Sequence, residues 1–243
     1  METSLTLSIS RDPADLWAVR ALRHRVFVEE MGATPGPDGQ EGDEFDAGCD
    51  HLILRDRARP DLGVVATLRT RPGAAYTARE FDVAALQATG RKMAELGRAC
   101  LHRDYRGGLA GLIIFKGLLD ILHANGVGLV VGTASFPGAD VTPHLPALRR
   151  LRAEALAPPH LCPVARGAGA VPISGDAPRT AMTGVPALIK TYLRAGAWVG
   201  DGAYIDRNFN TVDICMVLDL DRVAPLGRQA GRRITTKGAD TNV

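Results

Sequence analysis

The stretch from Met93 to Ala134 restricts the possible folds of this chain more than any other. Met93 to Leu101 reads as a strand, and His102 to Gly108 as a polar turn ending in Gly107-Gly108. Leu109 to Ala124 is apolar and of helical length, closed by Asn125-Gly126 as a C-cap. Val127 to Ala134 is then a continuous apolar run, the pattern of a strand covered on both faces. Strand, Gly-rich turn, helix and buried strand in that order make a βαβ-like unit. The helix that follows the turn presents unpaired N–H groups and a partial positive charge, a setting that favours phosphate. Gly107 and Gly108 let backbone approach such a group and Arg106 adds a fixed cation, although glycine serves plain turns equally well.

The remaining elements fit an α/β (α+β) domain. Leu5 to Ile9 alternates as a short strand, and Asp15 to Glu30 reads as a helix with Asp12 as N-cap and Pro13 at its first position. Met31 to Gly48 is rich in Gly, Pro and acidic residues and reads as a long loop, a length usually tied to function or disorder. His51 to Arg55 and Val64 to Arg69 read as neighbouring strands. Pro143 to Ala155 reads as a basic helix, 157–183 as an irregular connection, and Pro186 to Ala195 as a helix stopped by Gly196. Trp198-Val199 and Ile214 to Leu218 supply further strands. The expected organisation is one domain over 1–221 and a basic, mobile tail over 222–243.

Composition excludes several classes. A net charge of +2 in 243 residues gives no general electrostatic case for nucleic acid. Cys49, Cys100, Cys162 and Cys215 are far apart, which argues against a zinc ribbon or a disulfide framework, and no histidine pair has metal-ligand spacing. No signal-peptide pattern and no apolar run near ~18 residues is present, so a cytoplasmic protein with reduced thiols is expected.

Against this background, charged residues recur beside apolar ones in Leu22-Arg23-His24-Arg25-Val26-Phe27, Asp43-Glu44-Phe45-Asp46 and Glu95-Leu96-Gly97-Arg98. Burying an unpaired charge costs several kcal/mol, so these charges point to a site. Glu95 and Arg98 are three apart on a strand, which strict alternation sends to opposite faces. Gly97 between them predicts a bulge or irregularity at Leu96 to Arg98.

Arg23 with Phe27, Asp43-Glu44-Phe45-Asp46, Arg69 and Glu95-x-x-Arg98 resemble the motif set of the acyl-homoserine-lactone synthases, which have a GNAT-type fold. Met31-Gly32-Ala33 departs from the tryptophan-bearing sequence of that group. The stretches 26–33, 49–52, 97–108 and 186–196, with Ile205-Asp206, Phe209-Asn210-Thr211 and Asp213, resemble the ornithine-lipid N-acyltransferases instead. That resemblance runs from about Leu16 to Leu220. It implies a GNAT-like fold, a central mixed twisted sheet flanked by helices. It further implies transfer of a 3-hydroxyacyl group from acyl carrier protein to the α-amine of L-ornithine, with no cofactor beyond the phosphopantetheine of the carrier. Acetyl-CoA-using relatives have a glycine where Arg106-Gly107-Gly108-Leu109 has Leu109, and one phosphodiester needs a less complete cradle than CoA.

Aminolysis of a thioester needs positioning, proton removal and oxyanion stabilisation, and no covalent intermediate. Glu95 and Arg98 are the expected catalytic residues, Glu95 as general base acting directly or through a water, with Arg98 and Arg23 fixing carboxylates nearby. Arg69 or Arg23 is expected to hold the substrate carboxylate, Asp43 and Asp46 its ammonium, Phe27 to line the substrate site, and Arg106, Gly107 and Gly108 the phosphopantetheine. Arg23 and Asp46 pairing simply to brace the long loop is the competing reading. Cys100 is expected in the core, since aminolysis uses no thiol, and His102 ranks behind Glu95 as a base. The Arg149-Arg150-Leu151-Arg152 run is either a solvated face or a dock for the acidic carrier protein. The basic tail offers a contact with anionic membrane. Another acceptor amino acid, autoinducer synthesis and a non-catalytic binding module are the rival functions.

Overall fold

A computed structural model describes residues 3–223 and 235–237. In chain order the elements are β1 (Leu5–Ser10), α1 (Pro13–Arg23), β2 (Asp50–Asp56), β3 (Val64–Pro72), β4 (Phe81–Asp82), α2 (Ala84–Ala88) and β5 (Met93–Leu101). They continue with α3 (Leu109–Ala124), β6 (Leu129–Pro137), α4 (Leu145–Ala155), β7 (Val164–Ala165), β8 (Ala170–Val171) and α5 (Ala187–Arg194). β9 (Trp198–Val199), β10 (Ala203–Asp206), β11 (Thr211–Asp219) and β12 (Thr235–Lys237) complete the set. This is the mixed α/β architecture that the sequence predicts.

The described residues divide into two compact units, each built from separated segments: 3–71, 96–125 and 235–237 form the first, 72–95 and 126–223 the second. In the first unit β1 pairs antiparallel with β2, and β2 with β3, while β12 runs parallel to β1. Val19, Leu22 and Val26 pack with Ile53, Val64 and Cys100 as its core. In the second, β6 and β11 form a nine-residue antiparallel ladder, extended by β10 and then β8. Phe81, Leu86, Leu129, Val131, Leu161, Cys215 and Val217 are its core.

The strand–helix–strand unit is present in chain order as β5, α3 and β6. The second strand starts at Leu129 rather than Val127, because Gly128 and Leu129 donate their N–H groups to the Lys92 carbonyl in the connection. Asp12 caps α1 as expected, its side chain accepting from the Ala14 N–H. The predicted helix to Glu30 is corrected in kind. The α-helix ends at Arg23 and His24–Glu30 continue as a π-helix, a widening that apolar periodicity does not report. The 157–183 connection holds β7, β8 and short 3-10 turns, and β10 was not anticipated. The basic tail expected over 222–243 lies outside the described residues, apart from Arg222, Val223 and the β12 strand. Among the described residues, no helix is long and apolar enough to cross a membrane.

Helix α3 lies close to β1 because it has a glycine where they meet: a Cβ on Gly117 would stand 2.1 Å from Leu7 Cδ2. Alanine is worth about 1 kcal/mol over glycine inside a helix, but overpacking costs about 1–3 kcal/mol. Gly117→Ala is therefore expected to lower the denaturant midpoint, and adding Leu7→Ala to recover part of the loss in a double-mutant cycle.

Candidate functional site

The first unit gathers its motif charges into one buried network. Asp46, with no exposed side-chain surface, accepts from Arg23 Nη1 at 2.8 Å, Arg69 Nη1 at 2.6 Å and Arg20 Nε at 3.0 Å. Asp43 receives the fork of Arg69 at 2.5 and 2.8 Å and Arg98 Nη2 at 2.8 Å. Arg98 Nε also donates to Glu41 at 2.9 Å. Arg69 joins the Asp46 and Asp43 halves of the network, and His51 adds to the first. Arg23 Nη2 stands 3.2 Å from its Nδ1, and its Nε2 stands 3.1 Å from the Asp46 carbonyl, the arrangement of a neutral ring accepting at one nitrogen and donating at the other. Phe45 lies beneath Arg71 and Arg69, 5.3 and 6.0 Å from the guanidinium carbons.

These contacts set the ionisation. Burial pushes the Asp46 carboxyl up, but the charge and hydrogen bond of Arg23, with the bond from Arg69, outweigh it and hold the group far below the ordinary range. Asp43 is held low in the same sense: burial opposes, and Arg69 and Arg98 win. Burial and the Arg23 charge both push the His51 imidazole down, in keeping with a neutral ring.

The irregularity expected at Leu96 to Arg98 is found at Arg98 itself, whose φ is +52°. A non-glycine residue in that region costs about 1–2 kcal/mol, and the bonds to Glu41 and Asp43 hold it there. Glu95 has other partners. It is 4% exposed, and its carboxylate accepts the N–H groups of Tyr76 at 3.0 Å and Thr77 at 2.5 Å, both in the second unit. The chain passes from one unit to the other between Glu95 and Leu96.

The other expected residues separate. Gly107 has φ +76° and Gly108 is the N-cap of α3 with no side-chain cap, leaving the first N–H groups of the helix open. Arg106 turns back from them, donating to the Leu101 carbonyl and pairing with Glu30 at 2.7 Å. Phe27, on the π-helix, packs against the Val19–Leu22–Val26 core. Cys100 is in that core, and burial pushes its thiol up to about 12, so it carries no thiolate chemistry. His102 is buried and caps the turn after β5 by accepting from the Asp104 N–H. In α4, Arg150 pairs with Glu154, and Arg152 with Asp201 at 2.7 Å, so two of its three arginines already have local anionic partners.

A family model described as "Acetyltransferase (GNAT) domain" matches residues 22–115. An L-ornithine N(alpha)-acyltransferase of Rhodobacter capsulatus is 38% identical, the match spanning 97% of this chain and 98% of the relative. The chain belongs to the L-ornithine N(alpha)-acyltransferase family. A member from Rhizobium meliloti is 33% identical, over 98% of this chain and 85% of its own length. Among solved structures, the AHL synthase LasI shares the fold at a TM-score of 0.52 and 15% identity, over 90% of this chain and 91% of its own. The match to a GNAT domain model over 22–115 and the L-ornithine N(alpha)-acyltransferase family are as the resemblance implied.

Within this acyltransferase, the arginines expected to hold a substrate carboxylate and the aspartates expected to hold its ammonium are each other's partners. Arg69 gives its fork to Asp43, and Arg23 its donors to Asp46 and His51. The brace reading of the Arg23–Asp46 pair describes what is observed. Glu41, Arg20 and His51 were not anticipated as members of the network. Glu41 lies in the acidic loop and His51 is the second residue of β2, but neither position marks its partner.

Removing one member of a buried ion pair costs about 3–5 kcal/mol, because the other is left charged and unpaired. Asp46→Asn is expected to cost that much at neutral pH in urea unfolding. Since the folded-state value lies below the unfolded one, the difference from wild type should be constant above about pH 5 and shrink as pH falls below about 4. A difference unchanged down to pH 2 would contradict the assigned ionisation.

Proposed function

We propose that this chain transfers a 3-hydroxyacyl group from the phosphopantetheine of acyl carrier protein to the α-amine of L-ornithine, giving lyso-ornithine lipid. The observation that carries the reading is the full-length match to L-ornithine N(alpha)-acyltransferases, at 38 and 33% identity. The placement of Glu95 supplies the chemistry. Two consecutive backbone N–H groups fix its carboxylate, and each carboxylate oxygen keeps lone-pair capacity for a further donor.

In this reading the α-nitrogen attacks the thioester carbonyl, the C–N bond forms, and the nitrogen proton passes to Glu95 directly or through one water. Collapse of the tetrahedral intermediate breaks the C–S bond, and the carrier thiol leaves protonated. Glu95 is the catalytic base. Arg98, held by Glu41 and Asp43, is a positioning residue, and the Arg23–Asp46–Arg69–Asp43 network fixes the 31–48 loop. The open N-terminus of α3 at Gly108 takes the single phosphodiester of the donor, with Gly107 giving close backbone approach. The reaction belongs in the cytoplasm, where carrier protein is available. The amphiphilic product suits departure to an anionic membrane face met by the basic tail residues Arg228, Arg232 and Arg233.

The test is incubation of purified protein with 3-hydroxyacyl carrier protein and L-ornithine, followed by mass spectrometry of the lipid fraction. N-acylated ornithine is expected, and Glu95→Gln is expected to lower kcat by about 100-fold or more, the size of a general-base contribution. Near-normal turnover in that variant removes Glu95 from the role. Transfer to another amino acid in preference to ornithine overturns the substrate assignment.

A further inference from the structure

Three carboxylates of the second unit that the proposed chemistry leaves unused converge on one point. Glu80, Asp206 and Asp213 each place an oxygen within 4.8 Å of the other two. Glu80 and Asp213 are 5% and 3% exposed. Asp206 ends β10, where its Oδ1 accepts the Asn208 and Phe209 N–H groups and is thereby fixed in direction.

A second, independent feature faces the same point. Thr211 is 1% exposed, and its hydroxyl has no hydrogen-bond partner among the described residues. It stands directly opposite Asp206 in the β10–β11 register and two residues before Asp213, so the three side chains share one sheet face. Thr77, fully buried, has a second unpartnered hydroxyl. It opens the 3-10 turn that Glu80 closes, and side chains three apart on such a turn lie on one side. A buried hydroxyl without a partner costs about 1–3 kcal/mol, a cost removed by a ligand that offers hydrogen-bonding groups.

We propose that Glu80, Asp206 and Asp213, with Thr211 and Thr77, form a subsite for a primary alkylammonium, the side-chain ammonium of the acceptor. Such a group has three N–H donors and a positive charge, matching three carboxylate oxygens. Oxygens no more than 4.8 Å apart leave room for one nitrogen about 2.8 Å from all three, the length of a charge-assisted N–H···O bond. Thr77 connects this subsite to the proposed base: its N–H holds Glu95, and its side chain lies on the Glu80 side of the turn. A diamino acid anchored by its side-chain nitrogen in this subsite would present its α-nitrogen toward Glu95, which the same Thr77 segment holds. The inference rests on the proposed acyl transfer to ornithine and adds how ornithine is distinguished from amino acids without a side-chain charge.

The test compares L-ornithine with L-norvaline, which has the same carbon chain and no terminal nitrogen, as acceptors for 3-hydroxyacyl carrier protein. Wild type is expected to favour ornithine by about 100-fold or more in kcat/KM, since a site built to pair a polar group rejects the analogue lacking it. Asp206→Asn and Thr211→Val are expected to raise the ornithine KM and bring that ratio below about 10-fold. A merely structural role would lower both acceptors together and keep the ratio. On wild type, n-butylammonium is expected to compete with ornithine and butan-1-ol is not, a readout that requires no variant to fold. The subsite is overturned if wild type acylates norvaline as well as ornithine, if the variants keep the ratio, or if butylammonium does not compete. It is equally overturned if chelation abolishes ornithine use and a divalent cation restores it, since the carboxylates then hold a metal. Acylation of neither acceptor by wild type is a different result, and overturns the acyl-transfer reading itself.

Discussion

Asp46 sets the constraint on which the first unit depends. A carboxylate with no solvent contact is tolerated only where cations surround it, and here Arg23, Arg69 and Arg20 approach from a helix, a strand and the helix again. Those arginines are in turn acceptable inside the protein because Asp46 and Asp43 are there. Four guanidiniums and three carboxylates therefore stand or fall together, and this mutual requirement fixes the stretch of the long loop that bears the acids. Replacing such a network by apolar side chains is often neutral for stability, so its ionic form is better understood as specifying one position for the loop.

The same arrangement separates the motif charges into two kinds of work. Those of the first unit bind one another, and Glu95 in the second accepts, among the described residues, from backbone N–H groups. A carboxylate fixed by the N–H groups of Tyr76 and Thr77 depends on no other charged side chain for its direction. This suits a base, which must present a free lone pair in a set direction while the groups around it change.

Elements were legible in the sequence where local chemistry fixes them. The end of β5 and both ends of α3 follow from the polar turn and the Asn125-Gly126 stop, and Asp12-Pro13 marks the start of α1. The irregular strand at Leu96–Arg98 was also legible, although it is Arg98 rather than Gly97 that takes the left-handed conformation. Pairings across 23 to 57 residues were not, because a charge announces that it needs a partner and not which one. Apolar periodicity could not separate the π-helix at His24–Glu30 from an α-helix, since both bury the same side. The Glu80, Asp206 and Asp213 convergence depends on strand register, which no local pattern encodes.

The central claim is that the carboxylate of Glu95 receives the attacking nitrogen. The most direct measurement is a crystal structure of the protein with L-ornithine bound. The account expects the α-nitrogen within hydrogen-bond reach of a Glu95 oxygen, or joined to it by one ordered water. An ornithine bound with its α-nitrogen remote from that carboxylate, and Glu95 still occupied only by the Tyr76 and Thr77 N–H groups, would contradict it.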